Sequence, residues 1–155
     1  MLKVLDLTAG RRAMWFDKQW RGAVFVDVRL EVVPDVVASS AALPIGVEAG
    51  FDLVVFDPPH RHFQPTSFFA AKYGTFTRAE IHDLIRDGAC EAHRVCRPGA
   101  LMVFKWNNCS RPLNEQLDLM ARWWYPLFGT KEASRGGGDT DTSWTLLVRR
   151  DLPGG

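Results

Sequence analysis

The sequence has few cysteines, no long apolar run and almost no net charge. Its three cysteines, Cys90, Cys96 and Cys109, show neither C-x-x-C spacing nor Cys/His clustering, which argues against a disulfide framework and a zinc site. No apolar stretch approaches the roughly 20 residues that cross a bilayer, and the first residues do not resemble a signal peptide. We therefore expect a cytoplasmic protein with no metal centre and no membrane segment.

The charge balance restricts the partners. A formal net charge of +1 lacks the strongly basic footprint of dedicated nucleic-acid binders. If nucleic acid is a partner, the basic residues must be arranged locally. At 155 residues, the chain is long enough for one core and too short for two domains. We predict one domain over residues 1–150 and a disordered tail over 151–155.

Apolar residues fall into short runs separated by helical or polar segments, a pattern typical of an α/β fold with a mostly parallel sheet. The run at 51–56 is nearly continuous, which predicts a central strand buried on both faces. The other predicted strands are residues 3–8, 23–28, a weaker 35–39, 100–106 and, after an apolar stretch at 125–128, 143–148. The last two segments would form an antiparallel hairpin around the Gly136-Gly137-Gly138 loop.

Two helices are predicted from apolar residues at helical spacing. The first has Thr77 as N-cap with Glu80 three residues later, and should end before the turn Arg97-Pro98-Gly99. Its inward face would carry Ile81, Leu84, Ile85, Ala89 and Ala92. The second is expected from about 112 to about 123. Only a short helix is expected between the first two strands.

The end of the first strand lacks the G-x-G-x-x-G fingerprint, which disfavours a nicotinamide or flavin enzyme. It reads Asp6-Leu7-Thr8-Ala9-Gly10 instead, a small-residue turn that lets backbone amides approach a ligand; a tight turn without a ligand is the alternative. Asp27 ends the second strand and can accept hydrogen bonds from two ribose hydroxyls. An ion pair with Arg29 is the competing interpretation, and we favour the ligand.

The strongest signal is Asp57-Pro58-Pro59-His60, directly after the strand at 51–56. Two prolines fix φ and remove amide donors, so the segment is stiff and its carbonyls stay free to accept hydrogen bonds. The Asp57 side chain and the Pro58 carbonyl can each accept one N–H of an exocyclic amine, and His60 can stack on the planar group that bears it. The pattern therefore indicates chemistry on an amino nitrogen.

With these residues placed, the sequence resembles class I methyltransferases that use S-adenosylmethionine to methylate amino groups. Asp57-Pro58-Pro59-His60 is similar to their fourth motif, residues 4–10 to their first and Asp27 to their second. The motif order matches over roughly residues 3–150. Four further segments resemble small phage- and prophage-type methyltransferases: Met14-Trp15-Phe16-Asp17-Lys18, Lys72-Tyr73-Gly74, Phe104-Lys105-Trp106-Asn107 and Pro126-Leu127-Phe128-Gly129.

The resemblance implies roles for particular residues. Ser39 stands where relatives often carry an acid that binds the adenine amine, and His60 replaces a commoner Tyr, Phe or Trp. The implied cofactor residues are Asp6, Leu7, Thr8, Ala9, Gly10, Asp27, Val28, Ser39, Leu43 and Asp57. The implied catalytic residues are Asp57, Pro58, Pro59 and His60, with substrate contacts from His60, Lys72, Tyr73, Lys105, Trp106 and Asn107.

Two loops bear on the substrate. In residues 61–78 basic side chains surround aromatic ones, a mixture used to hold single-stranded or flipped bases, although such loops are also commonly lids. Trp106 either walls the target pocket or is a buried anchor with an indole hydrogen bond. Trp123-Trp124-Tyr125 is interpreted as core or a dimer patch.

These features together predict a single-domain Rossmann-like methyltransferase sandwich with a C-terminal antiparallel hairpin. The expected reaction is metal-free transfer from S-adenosylmethionine to the exocyclic amine of adenine or cytosine in DNA or RNA, with selectivity supplied by a homodimer or a recruiting protein. Methylation of a protein amide or a small molecule, and a catalytically silent cofactor-binding module, are the alternatives.

Overall fold

The computed structural model describes residues 1–60, 76–108, 111–132 and 141–151. Within these ranges the helices are α1 (Arg78–Val95) and α2 (Leu113–Met120), and short 3-10 turns cover Leu30–Val32 and Val47–Ala49. The strands are β1 (Val4–Asp6), β2 (Ala23–Asp27), β3 (Val36–Val37), β4 (Phe51–Phe56), β5 (Cys96–Asn107), β6 (Trp124–Glu132) and β7 (Thr142–Arg149). The predicted base-binding loop, Cys109, the glycine triplet and most of the predicted tail lie outside the described residues.

The strands form one seven-stranded sheet in the order β3-β2-β1-β4-β5-β7-β6. All pairs from β3 through β5 are parallel, and β7 is antiparallel to both β5 and β6. This confirms the predicted α/β fold with its C-terminal antiparallel hairpin. The chain passes outward from β1 to β3 and returns to β4 on the other side of β1. The sheet therefore has a switch point between β1 and β4, where open α/β folds bind ligands.

The predicted capping box begins α1. The Thr77 side chain accepts from the Glu80 amide, and the Glu80 side chain accepts from the Thr77 amide. Helix α2 ends at Met120, three residues before the predicted end. The reason is that Trp124 already enters β6 and is fully buried, with its indole Nε1 donating to the Ala89 carbonyl at 2.9 Å.

The two faces of the sheet are covered differently. Helices α1 and α2 cover a large core that includes Phe56, Phe104 and Trp124. The opposite face holds a small cluster that includes Phe25, against which Trp15 and Trp20 pack. No helix forms between β1 and β2, where residues 7–22 make a series of turns, so the expected short helix is wrong. Strand β4 is consequently buried on the helical face but only partly buried on the other, which corrects the prediction of burial on both.

The Arg97-Pro98-Gly99 turn lies inside β5. The register shifts from the Phe51–Cys96 pair to the Leu53–Leu101 pair, and Gly99 has a φ of +74°, so the extra residues form a bulge rather than a loop before the strand. Within the described residues, no helix combines the length and the apolarity needed to traverse a membrane.

Candidate functional site

The carboxyl ends of the parallel strands bring the predicted polar residues to one edge of the sheet. Asp6 and Asp27 end β1 and β2, and Asp57 directly follows β4. The Asp57 amide donates to Thr8 Oγ1 at 2.8 Å, 49 residues away in sequence. This bond joins the loop after β1 to the proline motif across the switch point, so two motifs predicted separately form one site.

Asp6 is the most deeply buried carboxyl at this edge, with no exposed surface. Burial raises its pKa to about 6, an effect that hydrogen bonds from Trp15 and Thr8 oppose and that the negative charges of Asp57 and Asp27 reinforce. The Trp15 indole donates to Oδ2 at 2.7 Å and the Thr8 amide to Oδ1 at 3.2 Å. A buried carboxyl of this kind favours a cationic partner, because a positive charge repays its desolvation. Sequence reasoning did not assign Trp15 to this role.

Asp27 is occupied by groups of the protein itself. Its Oδ1 accepts from the Arg29 amide at 2.9 Å and Arg29 Nε at 3.0 Å, and its Oδ2 accepts from the Gly10 amide at 2.9 Å and Arg29 Nη2 at 3.1 Å. Burial alone raises the pKa of Asp27, but these hydrogen bonds outweigh burial and hold the pKa below its usual value. The alternative weighed from sequence, the pair with Arg29, is therefore present. Ribose hydroxyls would reach Asp27 only if the half-exposed Arg29 side chain moved.

Asp57 forms an ion pair that sequence reasoning did not anticipate. Lys105 Nζ lies 2.7 Å from Asp57 Oδ2 and 5.5 Å from the centre of the Trp144 ring. The Lys105 side chain reaches this position because β5 lies beside β4 in the sheet. Asp57 Oδ1 accepts no hydrogen bond from the part of the chain that the structure describes. It remains available to a ligand.

Trp106 is a buried anchor, the second of the two interpretations weighed from sequence. It is 1% exposed, its indole donates to the Arg111 carbonyl at 2.9 Å, and it stacks on Phe104. The His60 ring meets it edge to face with 6.1 Å between centroids. Trp106 therefore supports the position of His60, the residue expected to stack on the substrate.

Of the remaining predicted cofactor residues, Val28 and Ser39 lie near this edge and Leu43 lies in the core. Val28 is 61% exposed, Ser39 follows β3, and the Ser39 hydroxyl accepts from the Ala41 amide. Leu43 is packed in the large core beneath α1, and its amide donates to Glu91 Oε2 at 2.8 Å. Leu43 was predicted among the cofactor residues, but its side chain contributes to the core.

Substrate residues were predicted on two loops. Asn107 ends β5, and its side chain donates to Thr142 Oγ1 at 3.0 Å, because the start of the antiparallel β7 meets the same edge. The motif search missed Thr142, and only knowledge of the hairpin register reveals it. Lys72 and Tyr73 lie outside the described residues.

No protein-family model and no curated protein matches the sequence, but solved structures share its fold. The N-methyltransferase NodS from Bradyrhizobium japonicum, in complex with S-adenosyl-L-homocysteine, has a TM-score of 0.68 at 10% identity, covering 97% of this chain and 79% of NodS. The cyclase SpnF has a TM-score of 0.63 at 11% identity, covering 95% and 74%. A 16S rRNA adenine N1-methyltransferase from Catenulisporales acidiphilia has a TM-score of 0.55 at 12% identity, covering 97% and 85%.

These identities are low, so the similarity establishes the fold alone. The chain has the Rossmann-like fold of class I methyltransferases. Since SpnF carries a different activity on the same fold, the reaction has to be argued from the residues at the carboxyl edge.

Proposed function

We propose that this protein is an S-adenosylmethionine-dependent methyltransferase that acts on an exocyclic amino group of a nucleic-acid base, adenine N6 or cytosine N4. The observation that carries the proposal is the bond between Thr8 and Asp57 across the switch point. It unites the turn after β1, a candidate cofactor loop, with the proline motif, a candidate amine site, at the position where α/β folds bind ligands.

The residues around β1 suit the proposed cofactor. The cofactor is cationic at its sulfonium and amino groups, and the negative charge of the Asp6 carboxyl, which is buried beneath the cleft and bonded by Trp15 and Thr8, would attract it without direct contact. The turn that ends at Gly10, where φ is +51°, brings backbone close to the cleft. Asp27 would accept hydrogen bonds from the ribose hydroxyls. The Arg29 side chain would first rotate toward solvent and leave the Asp27 carboxylate oxygens accessible. When bound, the cofactor supplies an activated methyl group.

The amine would be held by rigid acceptors. Lys105 holds Asp57 through Oδ2, which leaves Oδ1 as the acceptor that would meet the amine. Oδ1 and the Pro58 carbonyl each accept one N–H, which aims the nitrogen lone pair at the methyl group. As the nitrogen gains positive charge in the transition state, the adjacent carboxylate stabilises it.

The acceptor types support the substrate class. A carboxylate oxygen and a carbonyl oxygen would match the two N–H bonds of an amine conjugated with a ring, and the His60 ring would stack on that ring. One structural neighbour is an rRNA adenine methyltransferase, which supports a base as the target. We also propose that the protein is related to small phage-type methyltransferases. A homodimer or a recruiting protein would supply its sequence selectivity.

The test is methyl incorporation. Purified protein is incubated with labelled S-adenosylmethionine and separately with DNA, RNA, protein extract and small molecules, and nucleosides are analysed by mass spectrometry. We expect N6-methyladenine or N4-methylcytosine. Asp57→Ala should reduce the rate by at least about 100-fold, the typical effect of removing a preorganised transition-state contact.

Asp118→Ala is the matched control, because Asp118 is an exposed aspartate on α2, away from the site. It should retain full activity, and both variants should retain the wild-type fold by circular dichroism. Equal activity of Asp57→Ala and wild type contradicts the catalytic assignment. Label found only in protein or small molecules contradicts the substrate class, and cofactor binding without transfer to any acceptor identifies a silent module.

A further inference from the structure

A basic groove lies beside the candidate site and plays no part in the proposed chemistry. It encloses about 370 Å³ and is lined by Arg11, Arg12, Lys18 and Gln19 from the β1–β2 connection and by residues 32–35 from the β2–β3 connection. These turns stand where a helix was expected. Its first lining residue, Arg11, directly follows Gly10, which ends the turn after β1.

The groove is held in a defined shape. Arg12 donates to the carbonyls of Lys18 and Val33, pairs with Asp35 at 3.6 Å, and lies 3.9 Å over the Phe25 ring. Among the described residues, only Arg12 and Val33 combine a side chain with positive φ, at 55° and 54°, and both line this groove. Backbone in this strained region persists where the surroundings enforce it, often at binding sites.

The residues that line the groove carry more positive than negative charge. Asp35 is the acidic residue of the lining, and Arg12 already neutralises it. Arg11 and Lys18 are exposed, and neither forms an ion pair with any residue in the described ranges. The nearby Asp17 carboxylate accepts from the Gln19 amide. The lining therefore carries two exposed cations that are unpaired within the described ranges.

A fully exposed aromatic side chain adjoins these cations. Phe16, two residues before Lys18, has no burial at all, which is unusual for so large an apolar side chain. Basic groups that follow a phosphate backbone, with an aromatic ring for base stacking, are the combination used to bind single-stranded nucleic acid.

We propose that the groove lined by Arg11 and Lys18 binds a phosphodiester of a single-stranded nucleic acid, and that Phe16 stacks on an adjoining base. The inference rests on the proposed function, because it deepens its substrate class. The groove adjoins the turn after β1, and β1 pairs with β4, the strand that precedes Asp57. The groove would thus bind the nucleic-acid backbone beside the base that enters the active site.

The test measures binding separately from transfer. A fluorescent single-stranded oligonucleotide is titrated with wild-type protein and with the double variant Arg11→Gln/Lys18→Gln at several salt concentrations. We expect at least a tenfold loss of affinity and a salt dependence whose log–log slope falls by roughly 1. Arg86→Gln/Arg122→Gln is the charge-matched control on exposed residues of the helical face, and it should bind as wild type does.

Two further measurements complete the test. One distinguishes a phosphodiester from free phosphate as the ligand, and the other tests whether Phe16 stacks on a base. Inorganic phosphate at millimolar concentration should compete weakly; full competition would indicate a site for the free ion and overturn the proposal. Phe16→Ala should weaken binding of a normal oligonucleotide and leave binding of an abasic one unchanged.

The outcomes of this test and of the methylation test differ. Absence of oligonucleotide binding by wild type, or equal binding by the groove variant, overturns the groove proposal whatever the activity. Binding that depends on Arg11 and Lys18, without methyl transfer to any nucleic acid, supports the groove and refutes the proposed function instead.

Discussion

Strands β1, β2 and β3 span three, five and two residues, whereas β5, β6 and β7 span twelve, nine and eight. The short strands are joined by turns, whereas α1 and α2 precede the long strands β5 and β6, and the core beneath these helices also takes in Leu5 and Val26 of the short strands. The short-strand half holds Asp6, Asp27 and the strained groove. The long-strand half buries most of the large aromatic residues, including Trp106 and Trp124.

The short strands supply carboxylates to the candidate site, whereas the long strands supply most of the buried aromatic residues that stabilise the fold. The short strands β1 and β2 each end in a carboxylate at the edge of the sheet. The turns that connect them can hold strained or charged residues, which a packed helix would exclude. The helical half provides the burial that keeps such an arrangement folded. We expect substitutions of buried aromatic residues to change stability most, and substitutions at the carboxyl edge of the sheet to change binding.

The largest effect on stability should come from Trp124→Ala. The side chain is fully buried and its indole donates to Ala89, so truncation should lower the free energy of unfolding by about 3–5 kcal/mol. Trp20→Ala on the opposite face should lower it by roughly half as much, because Trp20 is only partly buried. Urea denaturation measures both.

If Trp124→Ala does not fold, Trp124→Phe serves instead, with an expected loss of about 1–2 kcal/mol from the missing hydrogen bond and the smaller ring. An equal loss of unfolding free energy from Trp20→Ala and Trp124→Ala would contradict the view that the helical face of the sheet contributes more to stability than the opposite face.

The next effect is on the pH dependence of stability through Asp6. Its pKa is about 6 in the folded protein against an ordinary value of 3.8, so folding opposes its ionisation. The resulting destabilisation is absent below about pH 4, grows as the pH rises toward 6, and is constant above. Asp6→Asn removes it and should stabilise the protein by up to about 3 kcal/mol at pH 7.5, as measured by urea unfolding.

The same variant should weaken binding of S-adenosylhomocysteine in calorimetry, because the ligand's ammonium loses its buried counter-charge. Wild-type affinity should likewise fall as the pH drops below 6. A gain in stability that is equal at pH 4 and pH 7.5 would contradict the role of ionisation. Asp87→Asn, on an exposed position of α1, is the control and should show neither effect.

The smallest expected effect is at the start of α1. Thr77→Ala removes the side-chain cap on the Glu80 amide, and the free energy of unfolding should fall by about 1 kcal/mol. Cofactor affinity should not change, because the cap belongs to the helical half. Thr130→Ala, on an exposed position of β6, provides a threonine control. A change in cofactor affinity for Thr77→Ala would show that the two halves are coupled.

Elements with local causes were predictable from the order of the amino acids. The bounds of β4 follow from its continuous apolar run and the prolines after it, and the capping box of α1 follows from Thr77 and Glu80 being three residues apart. The motif order also identified which residues end the parallel strands, so the edge that holds Asp6, Asp27 and Asp57 was predictable. Local signals act between near neighbours, and a linear pattern records them.

Which groups face one another at that edge depends on how the strands assemble. Lys105 meets Asp57 across 48 positions because β5 adds beside β4, and Trp15 reaches Asp6 because turns replace a helix. Whether Asp27 takes Arg29 or a ligand was also open in the sequence, since both use the same carboxylate oxygens. Such contacts depend on strand order, on register and on competition for the same atoms, which no spacing along the chain specifies.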